Sequence, residues 1–138
     1  MMSNEGERRL AYVLLRVSLG MDFLGHGAVR LLHGVGAFAA GMVKQMAETP
    51  LPAGFVHGFG LVLPVVELTL GVALLLGLLT RWALIGGALL MLVLMFGVTL
   101  RQDWATAGMQ LIYCFLFALL LFLRAEYDAG WPDVLLGC

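Results

Sequence analysis

Between Gly54 and Leu78 the chain carries one charged side chain, Glu67, in an otherwise apolar run. An isolated carboxylate at bilayer depth is costly, so it marks either chemistry or an obligatory pairing. The run around it is long enough to cross the hydrocarbon core as a helix, which takes about twenty residues. Lipid offers backbone groups no partners, so such runs must be helical, and the short alternating segments of a membrane barrel do not occur.

Apolar runs of this kind predict spans over Leu10 to Leu32, Phe55 to Leu78, Trp82 to Leu100 and Ala105 to Leu123. The expected fold is an all-α integral membrane protein: a single four-transmembrane-helix bundle over residues 1–138. Short connections at Leu79 to Arg81 and Arg101 to Trp104 make consecutive helices antiparallel neighbours. The longer link, Gly34 to Ala53, places Phe38, Met42, Val43 and Met46 against Lys44, Gln45 and Glu48. This spacing predicts a short interfacial helix between spans one and two, ended by Pro50 and Pro52 and serving as a connector rather than a lid.

The 138 residues are 62% hydrophobic and 12% charged, and four spans leave no room for a soluble catalytic domain. A net charge of −1 with scattered basic residues excludes a nucleic-acid partner. The polar start, with Arg8 and Arg9, precedes an apolar run broken by Arg16 and reads as the flank of a retained span rather than a cleaved signal. Arg8, Arg9, Arg81 and Arg124 fall on one side and Arg30, Lys44 and Arg101 on the other, a bias that places both termini in the cytoplasm. Trp82, Trp104 and Trp131 fit interfacial anchors. Cys114 reads as a packing residue, and Cys114 and Cys138 form neither a metal nor a redox spacing. The C-terminal segment, Ala125 to Cys138, is expected to return to the membrane surface or dock on a partner.

Many glycines lie within the spans, among them Gly20, Gly27 and Gly71, and small residues let helices approach closely in lipid. The first two spans are expected to meet along them. On the first helix Asp22, His26, Arg30 and His33 share one broad face, while Arg16 lies about 120° from Asp22. A lone arginine needs a carboxylate, and Arg16 with Glu67 is the expected structural ion pair. One carboxylate then remains in excess, and its proton can be held by the spare acid or by His26. Asp22, His26 and Glu67 are therefore the candidate catalytic residues, able to exchange protons with a quinol. Gln110 and Tyr113, at i, i+3, join Arg30 and His57 as secondary polar candidates. His57 with His26 or His33 makes only a weak haem pattern, and no metal site is expected.

Arg16, Gly20, Phe23, Leu24, His26, Gly27, Arg30 and Leu31 resemble the first-span pattern of DoxX-type membrane proteins. Glu67, Gly71, Leu76, Gly77, Leu78, Thr80 and Arg81 are similar to that family's glutamate and its glycine-leucine-threonine-arginine turn. The resemblance covers Leu10 to Arg124 and implies a four-helix bundle in a prokaryotic cytoplasmic membrane, with some relatives serving quinone-linked oxidoreductases. The expected function is a small membrane subunit of a quinone/quinol-linked redox system, with no covalently bound cofactor, a partner subunit and a quinone ligand. A non-catalytic anchoring or assembly subunit is the alternative. A proton pathway is a third reading, without an evident inverted repeat.

Overall fold

The computed structural model describes residues 4–128. Five helices and no strand occur among them: α1 (Asn4–Leu32), α2 (Val35–Gln45), α3 (Ala53–Leu76), α4 (Thr80–Leu100) and α5 (Trp104–Tyr127). α3, α4 and α5 are each long and apolar enough to cross a membrane, which makes the chain a multi-pass membrane protein. α1, at 29 residues, spans roughly 44 Å, but Arg16, Asp22 and Arg30 interrupt its apolar character. Three apolar spans thus stand beside a fourth long helix that is polar along one side.

The helix boundaries follow local chemistry. α3 closes at Gly77, whose φ of +68° only glycine adopts without strain. Leu79, at φ +47°, takes the same left-handed region to turn the chain into α4, at a cost of about 1–2 kcal/mol for an L-residue. Asp103 caps α5, accepting the Thr106 amide at 3.1 Å and its hydroxyl at 2.7 Å. α2 occupies the expected connector but ends at Gln45, and Met46 to Thr49 turn before either proline is reached. α5 continues to Tyr127, beyond the expected end at Leu123, because its register holds through Arg124 and the Asp128 amide, which donates to the Arg124 carbonyl at 2.9 Å. The remainder of the C-terminal segment, with Trp131 and Cys138, lies outside the described residues.

Two helix pairs make the bundle. α1 packs chiefly on α3, α4 on α5, and α2 over the start of α3. Glycines set the first pair: a Cβ at Gly27 would stand 2.6 Å from the Leu68 amide nitrogen and the Pro64 carbonyl oxygen, and one at Gly71 would collide with the Leu24 backbone. In lipid this close backbone approach replaces the hydrophobic drive. In the second pair the Phe117 ring lies over Gly87. Phe23 and Phe117 bridge the pairs edge to face, with centroids 5.3 Å apart, in a core that includes Leu19, Leu74, Leu84 and Leu120. Cys114 packs against this core as a free thiol. Contact between α1 and α5 is thin by comparison, and two cavities open along the seam between the pairs.

Candidate functional site

The α1–α3 register determines which charges meet. Gly20 lies against Gly71 and Leu75, Gly27 against Pro64 and Leu68, and Arg16 beside Gly77 at the far end of α3. Glu67 is consequently level with the region of Gly27 to Arg30. Arg16 is some 21 Å further along α1 by helical rise. The pairing of Arg16 with Glu67 expected from sequence is therefore corrected: Arg30 Nη1 donates to both Glu67 oxygens at 2.5 Å, with the Glu67 side chain 5% exposed. Arg16 instead approaches Asp128 Oδ1 at 3.6 Å, both side chains being buried. Among the described residues its Nε finds no hydrogen-bond partner, and neither does Thr80 Oγ1.

One turn before Arg30, His26 Nδ1 donates to the Asp22 carbonyl at 2.9 Å and stands 3.5 Å from Asp22 Oδ2. A carbonyl can only accept, so this bond fixes the proton on Nδ1 and leaves Nε2 of the neutral ring as an acceptor. His33 is held the same way by the Val29 carbonyl at 2.9 Å, outside the cluster. The i, i+4 repeat of Asp22, His26 and Arg30 thus presents an acid, an imidazole and a guanidinium along one stripe of α1.

This stripe lines a cavity of about 430 Å³ between the helix pairs. Asp22, His26, Arg30, Glu67, Gln110 and Tyr113 all contribute to its wall. Gln110 Oε1 is buried there with no donor among the described residues, an acceptor left for something that enters. Sequence reasoning did not single out Thr106, Met91 or Met109, which complete the wall. The signal available for Thr106 and Met109 was their helical spacing from Gln110 and Tyr113. His57 is exposed on α3 and does not line the cavity, so the histidine pairings weighed for a haem do not form there.

The charges of the cavity are nearly matched. Arg30 answers Glu67, and Asp22 is left with the titratable His26 and the Tyr113 hydroxyl beside it. Arg30 thus takes the place beside Glu67 that the sequence reading gave to Arg16. Chemically, the walls offer acceptors at Asp22, His26 Nε2 and Gln110, a hydroxyl at Tyr113, and a fixed ion pair. This set suits a neutral molecule bearing hydroxyl or carbonyl oxygens.

Residues 8–107 match the family described as "Methylamine utilisation protein MauE". No curated protein and no solved structure matches the chain. The resemblance to DoxX-type proteins is overturned, since the match is to a different membrane family. The residues that suggested it, Gly20, Gly27, Gly71 and Gly77 above all, serve helix approach and a left-handed turn, requirements that any close-packed helix pair shares.

Proposed function

We propose that this chain, which belongs to the MauE family of methylamine utilisation proteins, is a small membrane subunit of a quinone/quinol-linked redox system. In this reading α1 is the fourth span of a single four-helix domain, α2 lies in the interface, and both termini face the cytoplasm of a prokaryotic cell. The observation that carries it is the convergence of Asp22, His26, Glu67, Gln110 and Tyr113 on one cavity within the helices.

Oxidation of a quinol releases a proton from each hydroxyl. His26 Nε2 accepts one, and the Asp22 carboxylate, which lacks a fixed counter-charge, accepts the other. Gln110 Oε1 accepts from the second hydroxyl and orients the ring. The Arg30–Glu67 pair holds α1 and α3 in register around the head group. Electrons leave to a partner subunit.

A second reading, an anchoring or assembly subunit, is favoured by the partial exposure of Asp22 and His26, whose side chains are 34% and 52% accessible, Asp22 lining a groove between α1 and α5 and His26 a shallow one on the face of α1. Lipid cannot solvate them, so a partner helix would. Extraction in mild detergent, followed by mass spectrometry of every polypeptide and prenyl quinone retained, tests both. Stoichiometric quinone supports the redox-linked reading. A partner without redox cofactor, and no quinone, moves the assignment to the anchoring subunit.

A further inference from the structure

Arg30 stands in a wall between two different chambers. On one side its Nη1 reaches Glu67 in the polar cavity; on the other its Cζ lies 4.5 Å over the Phe38 ring of α2. Beyond Phe38 is a second cavity of about 460 Å³, whose walls are Phe55, Phe59, Met42 and Met46 with Val93 and Gly97 of α4. Arg30, Leu94 and Thr106 belong to the walls of both cavities, so the two adjoin across these side chains. Phe55 and Phe96, also in the apolar wall, are 61% and 60% exposed on the outside of the bundle, where lipid chains would lie.

α2 roofs this chamber and is held at its middle and at its C-terminal end. Gly60 of α3 admits Ala39, which is fully buried, into backbone contact. Arg101, from the α4–α5 turn, donates to Gln45 Oε1 at 3.0 Å. A connector needs neither a buried seat nor a cavity beneath it.

We propose that the aromatic chamber under α2 holds the hydrocarbon tail of the ligand whose polar head occupies the Asp22–Glu67 cavity. The inference rests on the head-group reading above and extends it to the ligand class: a membrane-soluble molecule with a small hydrogen-bonding head and a prenyl or acyl chain. Cavities of a few hundred Å³, mostly apolar with a few convergent polar groups, are the usual form of such sites. Because the tail is already in an apolar solvent, its contribution comes from dispersion against Phe and Met, and is modest.

Native mass spectrometry of the full chain tests this with tail-less ubiquinone, decyl-ubiquinone and decanoic acid as probes. Gly97→Leu fills the chamber, where the first added carbon would meet only the flexible Met46 Cε, at 3.1 Å. Val93→Phe fills it from a residue that is 50% exposed and so tolerant of change. The expected result is decyl-ubiquinone binding about tenfold tighter than the tail-less form, with either variant removing that difference and sparing the tail-less form. Equal binding of the two quinones in the wild-type chain, which needs no variant to read, overturns the tail assignment and leaves the head-group reading intact. Decanoic acid bound and displaced by the substitutions, with neither quinone bound, keeps the tail chamber and overturns the quinone reading. Absence of all three probes overturns both.

Discussion

Arg30 of α1 and Glu67 of α3 form the ion pair of the helix seam, Arg30 Nη1 reaching both carboxylate oxygens, and the same guanidinium also stacks on Phe38 of α2. One side chain therefore ties three helices together at the point where the polar and apolar cavities meet. Glu67→Gln leaves Arg30 without its counter-charge and is expected to destabilise the fold by about 3 kcal/mol. Replacing both residues, as Arg30→Met with Glu67→Leu, should recover most of that stability. Heating in detergent, read by the monodisperse fraction on size exclusion, measures the cycle.

The α1–α3 seam makes a sharper test of packing. Gly71→Leu must force α1 from α3, because even a first carbon would enter the Leu24 backbone. Gly25→Ala, where nothing lies within 4 Å, should be neutral or up to about 1 kcal/mol stabilising. Folded yield after extraction should fall severely for the first variant and stay unchanged for the second.

Arg16, near the middle of α1, and Asp128 lie on the N-terminal side of the cavity and outside its walls. Arg16→Gln should lower thermal stability, since it strands a buried carboxylate, while leaving ligand binding at the cavity unaltered. A binding titration on the surviving folded protein separates this structural pair from the site.

In the α4–α5 turn, hydrogen bonds from the Thr106 side chain and amide hold the Asp103 carboxyl below the ordinary carboxylate range, with Arg101 adding to the effect. A folded-state value depressed in this way stabilises the protein fully above the unfolded value, and the stabilisation disappears as acid takes the pH down through the folded value. Thr106→Val should raise the Asp103 titration toward the ordinary range, and Asp103→Asn should flatten that part of the acid-stability curve. Carboxyl-carbon NMR of the protein in micelles follows the first, and acid titration of the melting temperature the second.

Much of this was legible in the sequence, for definable reasons. The stripe of Asp22, His26 and Arg30 follows from helical repeat alone, and the glycine contact of α1 with α3 from the needs of packing in lipid. Gln110 and Tyr113 reach the same cavity because their spacing turns both toward the seam. The partner of Glu67 was not legible. Gly34 to Ala53 separates the two helices, and a link of that length leaves their register free, so Arg16 and Arg30 were equally available until the Gly27–Leu68 contact fixed it. The repeat already put Arg30 on the face of Asp22 and His26, but a shared face on α1 does not say which level of α3 it meets. The cavity under α2 was invisible because it depends on how Ala39 seats against Gly60, a contact no periodicity encodes.

The central claim is that the cavity binds a quinol head through His26 and Asp22, and titrating tail-less quinol onto the purified chain tests it most directly. His26→Phe and Asp22→Asn should each weaken binding by about tenfold or more, as expected for the loss of a hydrogen bond to a charged or fully desolvated group, with the fold intact. Quinol binding that is unchanged in both variants, or absent from the wild-type chain, would contradict the account.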